Sequence, residues 1–185
     1  QYRFFAIGKP GFIDTNRYFK IFKGYFPHDS FESLERKLSV VATDLLKGEE
    51  TMFNSGNLIL PLLASAALTP VFSPVEIKGS MYADGGIMNN FPKEYLDADC
   101  DFIIGSNVSI AGELTKKDLK NSIQLASRIT GLAIYASSHQ KLEECDLFIE
   151  PEALESIGVL DKKGIEKAYS IGYDAASTAF KKLIS

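Results

Sequence analysis

Three short apolar runs, set between much longer helical stretches, restrict this 185-residue chain to few architectures. Leu38-Ser39-Val40-Val41-Ala42 is apolar apart from Ser39, and similar runs recur over 102–108 and 146–149. Runs of that length without polar alternation fit strands buried on both faces. Leu119, Ile123, Ala126, Ile129, Ala133 and Ala136 recur at helical spacing, which predicts a helix over 114–143. After the third run, Asp161 can cap a closing helix that reaches Leu183. Near the start, Asp14-Thr15-Asn16 can cap a helix with Phe19, Phe22 and Phe26 on one face. Shorter extended pieces are expected over 51–53, 75–77 and 81–83, the last two as a hairpin around Lys78-Gly79-Ser80. Strands alternating with long helices predict an α/β fold whose central sheet is mainly parallel and covered on both sides.

Composition excludes several classes. With 45% apolar and 24% charged residues the chain is ordinary globular material, long enough for a single core. A net charge of −4 and a pI near 5.3 offer no basis for binding nucleic acid. The longest apolar stretch, 58–72, is broken by Pro61 and Pro70 and is too short to span a bilayer. It reads as a buried helix followed by a proline-bounded turn. Ten aromatic residues crowd the first 31 positions, a segment leading into the domain. Phe19, Phe22 and Phe26 have a helical home. Tyr2, Phe4, Phe5 and Phe12 do not, and are read either as core or as contact with a membrane surface. Cys100 and Cys145 hold the same register before two predicted strands and are read as small, buried, reduced residues. Their spacing does not suit zinc, His28 is expected in a surface turn, and His139 falls late in the long helix. No metal or other cofactor is expected.

The stretch Met81-Tyr82-Ala83-Asp84-Gly85-Gly86-Ile87-Met88-Asn89-Asn90-Phe91-Pro92 carries the chemistry. It sets one carboxylate, Asp84, where an extended segment breaks into a glycine turn. Gly85 and Gly86 can take positive φ and admit close backbone approach, Asn89 and Asn90 tolerate the left-handed region, and Pro92 fixes the exit. A carboxylate near its reference pKa of about 4 is a weak base. Apolar cover from Met81, Ile87 and Met88 is expected to raise it. Asn89 or Asn90 either orients the Asp84 carboxylate or holds the turn. Asp44, at the end of Ala42-Thr43-Asp44-Leu45, is read as a local cap on backbone N–H groups. Taken alone, Asp-Gly-Gly is also an ordinary hairpin turn.

The order of motifs adds to this. Ala42-Thr43-Asp44-Leu45, Asn54-Ser55-Gly56-Asn57, Ala64-Ser65-Ala66-Ala67-Leu68, Pro70-Val71-Phe72-Ser73-Pro74, the Asp84 turn, Asp101-Phe102-Ile103-Ile104-Gly105 and Asp146-Leu147-Phe148-Ile149-Glu150-Pro151 together resemble the patatin-like phospholipases. The resemblance covers about 31–180. It implies a three-layer α/β/α domain and a lipid acyl hydrolase of phospholipase A, lysophospholipase or carboxylesterase type. The implied machinery is a Ser-Asp dyad, with Asp84 as its base and a phospholipid or other acyl ester as substrate. One departure stands out, since no serine here has glycine at both −2 and +2, so the Gly-x-Ser-x-Gly nucleophile segment is absent. The chain is therefore expected to be the C-terminal part of a single such domain, inactive alone, its open sheet closed by a homodimer or a retained N-terminal fragment. A family member that binds lipid or protein without catalysis is the alternative. No signal peptide is visible, and the missing N-terminal part leaves the compartment, cytoplasmic by default, undecided.

Overall fold

The computed structural model describes residues 8, 10–108, 112–157 and 161–184. Contacts divide the chain into two compact units, Gln1–Pro92 and Lys93–Ser185.

In the first unit Asp14 accepts the Asn16 N–H at 3.2 Å and opens a 3-10 turn, Thr15–Tyr18, that continues into α1 (Phe19–Tyr25). Phe19, Phe22 and Phe26 pack as expected, against buried Ile59, Leu63, Val75 and Tyr82. Strand β1 (Val40–Asp44) is buried at every position. It lies between β2 (Glu49–Phe53) and β4 (Ser80–Asp84), with β3 (Val75–Ile77) outside β4. Helix α2 (Ile59–Ser65) covers this sheet with Ile59, Leu63 and Ala64. Its start is held by Asp29, whose Oδ1 accepts the N–H groups of Leu58 (3.1 Å) and Ile59 (2.8 Å). A single helical turn, α3 (Gly86–Asn89), follows β4.

The α/β class holds, but the expectation of a mainly parallel sheet does not. Every neighbouring pair in the four-stranded sheet is antiparallel. For the pairs β1–β2 and β3–β4 connection length is the physical reason. The turn Leu45–Gly48 joins β1 to β2, and only Lys78 and Gly79 join β3 to β4. Both turn residues have positive φ (50° and 84°), as a two-residue reversing turn matched to strand twist requires. A parallel neighbour needs a crossover of a dozen residues or more. That condition is met in the second unit, where β5 (Ile104–Ser106) pairs in parallel with β6 (Leu147–Ile149) across α4 (Ser122–Glu143).

The second unit departs from expectation in other ways. The strand expected over 102–108 is shorter and largely exposed, with Phe102 and Val108 open to solvent. Along β5 only Gly105 is buried, and Ile104 and Ser106 are exposed. The helix expected from Leu114 starts at Ser122 because the segment carries two caps. Thr115 and Asp118 close a separate 3-10 turn, and the Asn121 side chain then accepts the Gln124 N–H at 2.9 Å. Leu119 thus falls outside α4, Ile129 is 59% exposed, and the Ile123 side chain lies outside the described residues. Asp161 accepts the Lys163 N–H at 2.9 Å and so shapes the turn before α5 (Ile165–Ile184). Both thiols are free, but Cys100 is exposed and Cys145 only half-buried, which corrects the buried pair expected from sequence. His28 sits in an exposed turn, and the His139 side chain lies outside the described residues. So do Tyr2, Phe4 and Phe5, whereas Phe12 is 65% exposed. No helix among the described residues is long and apolar enough to cross a membrane.

Ile59→Ala, which empties a fully buried site, should cost about 2–5 kcal/mol. Ile184→Ala, at an exposed helix end, should change stability by less than about 0.5 kcal/mol. Urea denaturation of the two variants measures both, and equal losses would contradict the placement of the core.

Candidate active site

Asp84 is the last residue of β4, opposite Ala42 of β1. At this point the chain leaves the sheet and its backbone takes new partners. The Asp84 N–H donates to the Ala67 carbonyl at 3.1 Å. The Asp84 carbonyl accepts the Thr43 hydroxyl at 2.9 Å. Its carboxylate Oδ1 accepts the Gly86 N–H at 2.8 Å. Thr43 was not anticipated, and its only sequence signal was a hydroxyl one residue before Asp44 in a buried run.

The two glycines are required for space and not for left-handed backbone. Gly85 has φ −61° and ψ −30°, and neither it nor Gly86 has positive φ. A Cβ built on Gly85 would lie 2.3 Å from the Val41 carbonyl oxygen. One built on Gly86 would lie 2.7 Å from Asn90 Oδ1 and 3.1 Å from Asp84 Oδ1. The asparagines do not use their left-handed tolerance either. Asn89 is buried in the last turn of α3, its N–H donating to the Gly85 carbonyl at 2.8 Å, and Asn90 follows with φ −75° and ψ −18°.

Asp84, Gly85, Gly86, Asn89 and Asn90 line one open recess of about 390 Å³. Its other walls are Val40 and Val41 of β1, Leu62 and Ser65 of α2, and Ser39 and Pro92. Burial pushes the Asp84 carboxyl up, and the Gly86 N–H offsets part of that rise by favouring the charged form. Of the expected apolar cover, none of Met81, Ile87 and Met88 lines the recess, and the last two are 41% and 47% exposed; its apolar walls are Val40, Val41 and Leu62. A half-buried carboxylate with a raised pKa and one donor, facing a recess, can accept a proton from a hydroxyl placed there.

Asp44 behaves in the opposite way. Fully buried, it accepts Ser80 Oγ at 2.6 Å and the N–H groups of Leu46 (3.0 Å) and Lys47 (3.1 Å), the local cap expected of it. The Ser80 bond foremost holds its carboxyl below the usual carboxylate range. Among the described residues no group of three or more His, Cys, Asp or Glu is arranged to hold a metal ion.

The family model for patatin-like phospholipase matches residues 1–97, a stretch that includes the whole Asp84 turn. The chain belongs to the patatin-like phospholipase family. Two uncharacterized NTE family proteins of Mycobacterium tuberculosis strain H37Rv are among its relatives. One is 36% identical over 86 residues, covering 45% of this chain and 24% of the relative. The other is 23% identical over 200 residues, covering 95% of this chain and 33% of the relative. The chain thus spans about a quarter to a third of the length of these relatives.

Two stability predictions follow from this geometry. Gly85→Ala pushes a methyl into backbone and should cost about 1–3 kcal/mol or more, whereas Gly86→Ala meets a side chain that can swing aside and should cost less. Asp84→Asn should stabilise the chain, with a definite pH dependence. The folded carboxyl titrates above its unfolded value of about 3.9. Stability is therefore lost as the pH rises from the unfolded value through the folded one, and the amide is spared that cost. The advantage of Asp84→Asn should vanish below about pH 4 and grow above it. Thermal melts across pH 3–8 check this (about the usual range for carboxylates and beyond), and a constant difference would contradict it.

Proposed function

We propose that the parent protein is a lipid acyl hydrolase of phospholipase A, lysophospholipase or carboxylesterase type, in which Asp84 is the base for a serine from outside these 185 residues. The observation that carries the reading is the raised Asp84 carboxyl opening onto a recess lined by the whole Asp-Gly-Gly turn. Family membership supplies the reaction class. The three-layer α/β/α arrangement of the family is proposed for the intact domain as well.

In this reading the serine Oγ attacks the ester carbonyl while its proton passes to an Asp84 carboxylate oxygen. The tetrahedral intermediate expels the alcohol or lysolipid, which leaves with the proton held by Asp84. Water then attacks the acyl-serine and gives its proton to Asp84, and the second tetrahedral intermediate expels the serine Oγ, which takes that proton back as the fatty acid leaves. No histidine takes part. Gly86 keeps Asp84 Oδ1 pointed through its N–H bond, leaving Oδ2 to face the nucleophile. The desolvating wall of Val40, Val41 and Leu62 brings the carboxyl towards the pH at which a base works best. Acyl esters, phospholipids among them, are the proposed substrates.

A non-catalytic lipid- or protein-binding member of the family is the second reading, favoured by the absence of Gly-x-Ser-x-Gly from these residues. Two measurements separate the readings. In the intact protein, Asp84→Asn should lower hydrolysis of p-nitrophenyl esters by roughly 10²–10⁴-fold while leaving the fold unchanged. Activity within about tenfold of wild type would remove Asp84 from the mechanism. The 185-residue chain alone should show no turnover above background, since losing a serine nucleophile removes on the order of 10⁶-fold in rate. Fluorophosphonate labelling of Ser39 or Ser65, with loss of measurable turnover, would show instead that the nucleophile lies within this chain.

A further inference from the structure

We propose that Thr43 is a positioning residue that fixes the Asp84 carboxylate for acyl transfer, an inference that rests on the reading of Asp84 as the base. Thr43 lies on the central strand β1 and is 2% exposed. Its Oγ1 donates its single proton to the Asp84 carbonyl at 2.9 Å. That carbonyl belongs to the peptide plane joining Asp84 to Gly85, the plane at which β4 ends and α3 begins.

The two residues that follow are glycines, the residues least able to restrain their own backbone. A plane set before Gly85-Gly86 has no β-carbon downstream to hold its tilt. Restraint must come from the groups that bond it, and the Thr43 hydroxyl is the side chain that does so. The Gly86 N–H, which holds Asp84 Oδ1 at 2.8 Å, belongs to the next plane, whose Gly85 carbonyl accepts the Asn89 N–H at 2.8 Å. The Thr43 bond and the α3 bond thus fix the planes on either side of Gly85, and losing the Thr43 bond frees the first of them and with it the placement of the Asp84 carboxylate against the Gly86 N–H. Asp84 is also anchored at its own N–H by the Ala67 carbonyl, 3.1 Å away, so a lost Thr43 bond should free the carboxylate without unpinning the strand.

Three variants test the assignment. Thr43→Val keeps the β-branched shape and loses the hydroxyl, and Thr43→Ser keeps the hydroxyl and loses the methyl. Thr43→Ala removes both and reads the same property should the valine variant fail to fold. The first readout is the ¹³C titration of the Asp84 carboxyl in the 185-residue chain, assigned by its loss in Asp84→Asn. In Thr43→Val or Thr43→Ala the midpoint should move up, because a loosened Gly86 N–H no longer favours the charged form. In Thr43→Ser it should stay with wild type. The second readout is ester hydrolysis by the intact protein. Thr43→Val should lower kcat by about tenfold to a hundredfold with KM changed less than about twofold, and Thr43→Ser should restore most of it. An unmoved midpoint and kcat in Thr43→Val, or serine and valine variants equally impaired, would overturn the proposal. If the intact wild-type protein hydrolyses no ester, Asp84 as base fails, and the carboxyl titration alone decides whether Thr43 positions it.

Discussion

Between the Val41 carbonyl and the Gly85 α-carbon there is no room for a methyl group. This contact determines where β4 can stop. Val41 belongs to β1, buried at every position in the middle of the sheet, so its carbonyl cannot retreat without disturbing both neighbouring strands. A residue with a Cβ at 85 would have to keep its distance, and the chain would leave β1 earlier or continue along it. With glycine there, the backbone can graze β1, turn at once into α3, and leave Asp84 at the corner. The recess exists because the turn departs from β1 at Ala42 and leaves Val40 and Val41 beside open space.

The elements of the first unit were legible where a local signal acted alone. Asp14 capped its turn, the phenylalanine stripe found the core, and the Val75–Ile77 and Ser80–Asp84 hairpin formed about the predicted residues. Strand direction was misread because periodicity reports burial and carries no information on direction. A strand buried on both faces looks the same whether its neighbours are parallel or antiparallel, and β1 is such a strand. The evidence for direction lay in the connections, above all in Lys78-Gly79. Two residues between extended segments can only fold the chain back. In α4 the competing signals were two caps six positions apart, Thr115 and Asn121. A stripe of apolar residues cannot tell which of them the helix obeys.

At the recess, the sequence brought the right neighbours together, and their physical roles were less legible. All five residues singled out around Asp84 line a single recess. Yet glycine admits two explanations from sequence, positive φ or lack of a side chain, and only three-dimensional contacts separate them. Here the crowding partners are Val41, 44 positions upstream by numbering, and Asn90. The same limitation hid Thr43, whose hydrogen bond spans 41 positions. Sequence adjacency likewise pointed to Ile87 and Met88 as the apolar cover, when a one-turn helix sends neighbouring residues to opposite sides. Gly86, Asn89 and Asn90, at spacings of three and four, share the recess face, and the two residues between them face solvent.

Asp44 and Asp84 show how the same sheet makes opposite use of one side chain. Each is the last residue of its strand, and because β1 and β4 are antiparallel the two carboxylates stand at opposite ends of their shared ladder. Asp44 is closed to solvent, and yet its carboxyl is held down while burial pushes that of Asp84 up. The difference lies in donors. Asp44 receives the Ser80 hydroxyl and the backbone N–H groups of Leu46 and Lys47, which the turn Leu45 to Gly48 offers as it closes. Asp84 stands before a turn that α3 draws away, and Gly86 supplies the N–H that meets it there. A buried carboxylate with its lone pairs occupied is a structural cap, inert as a base because its charged form is already well served. Asp84 keeps an oxygen uncommitted by that N–H, beside apolar walls, and so has both the affinity for a proton and the place to receive one.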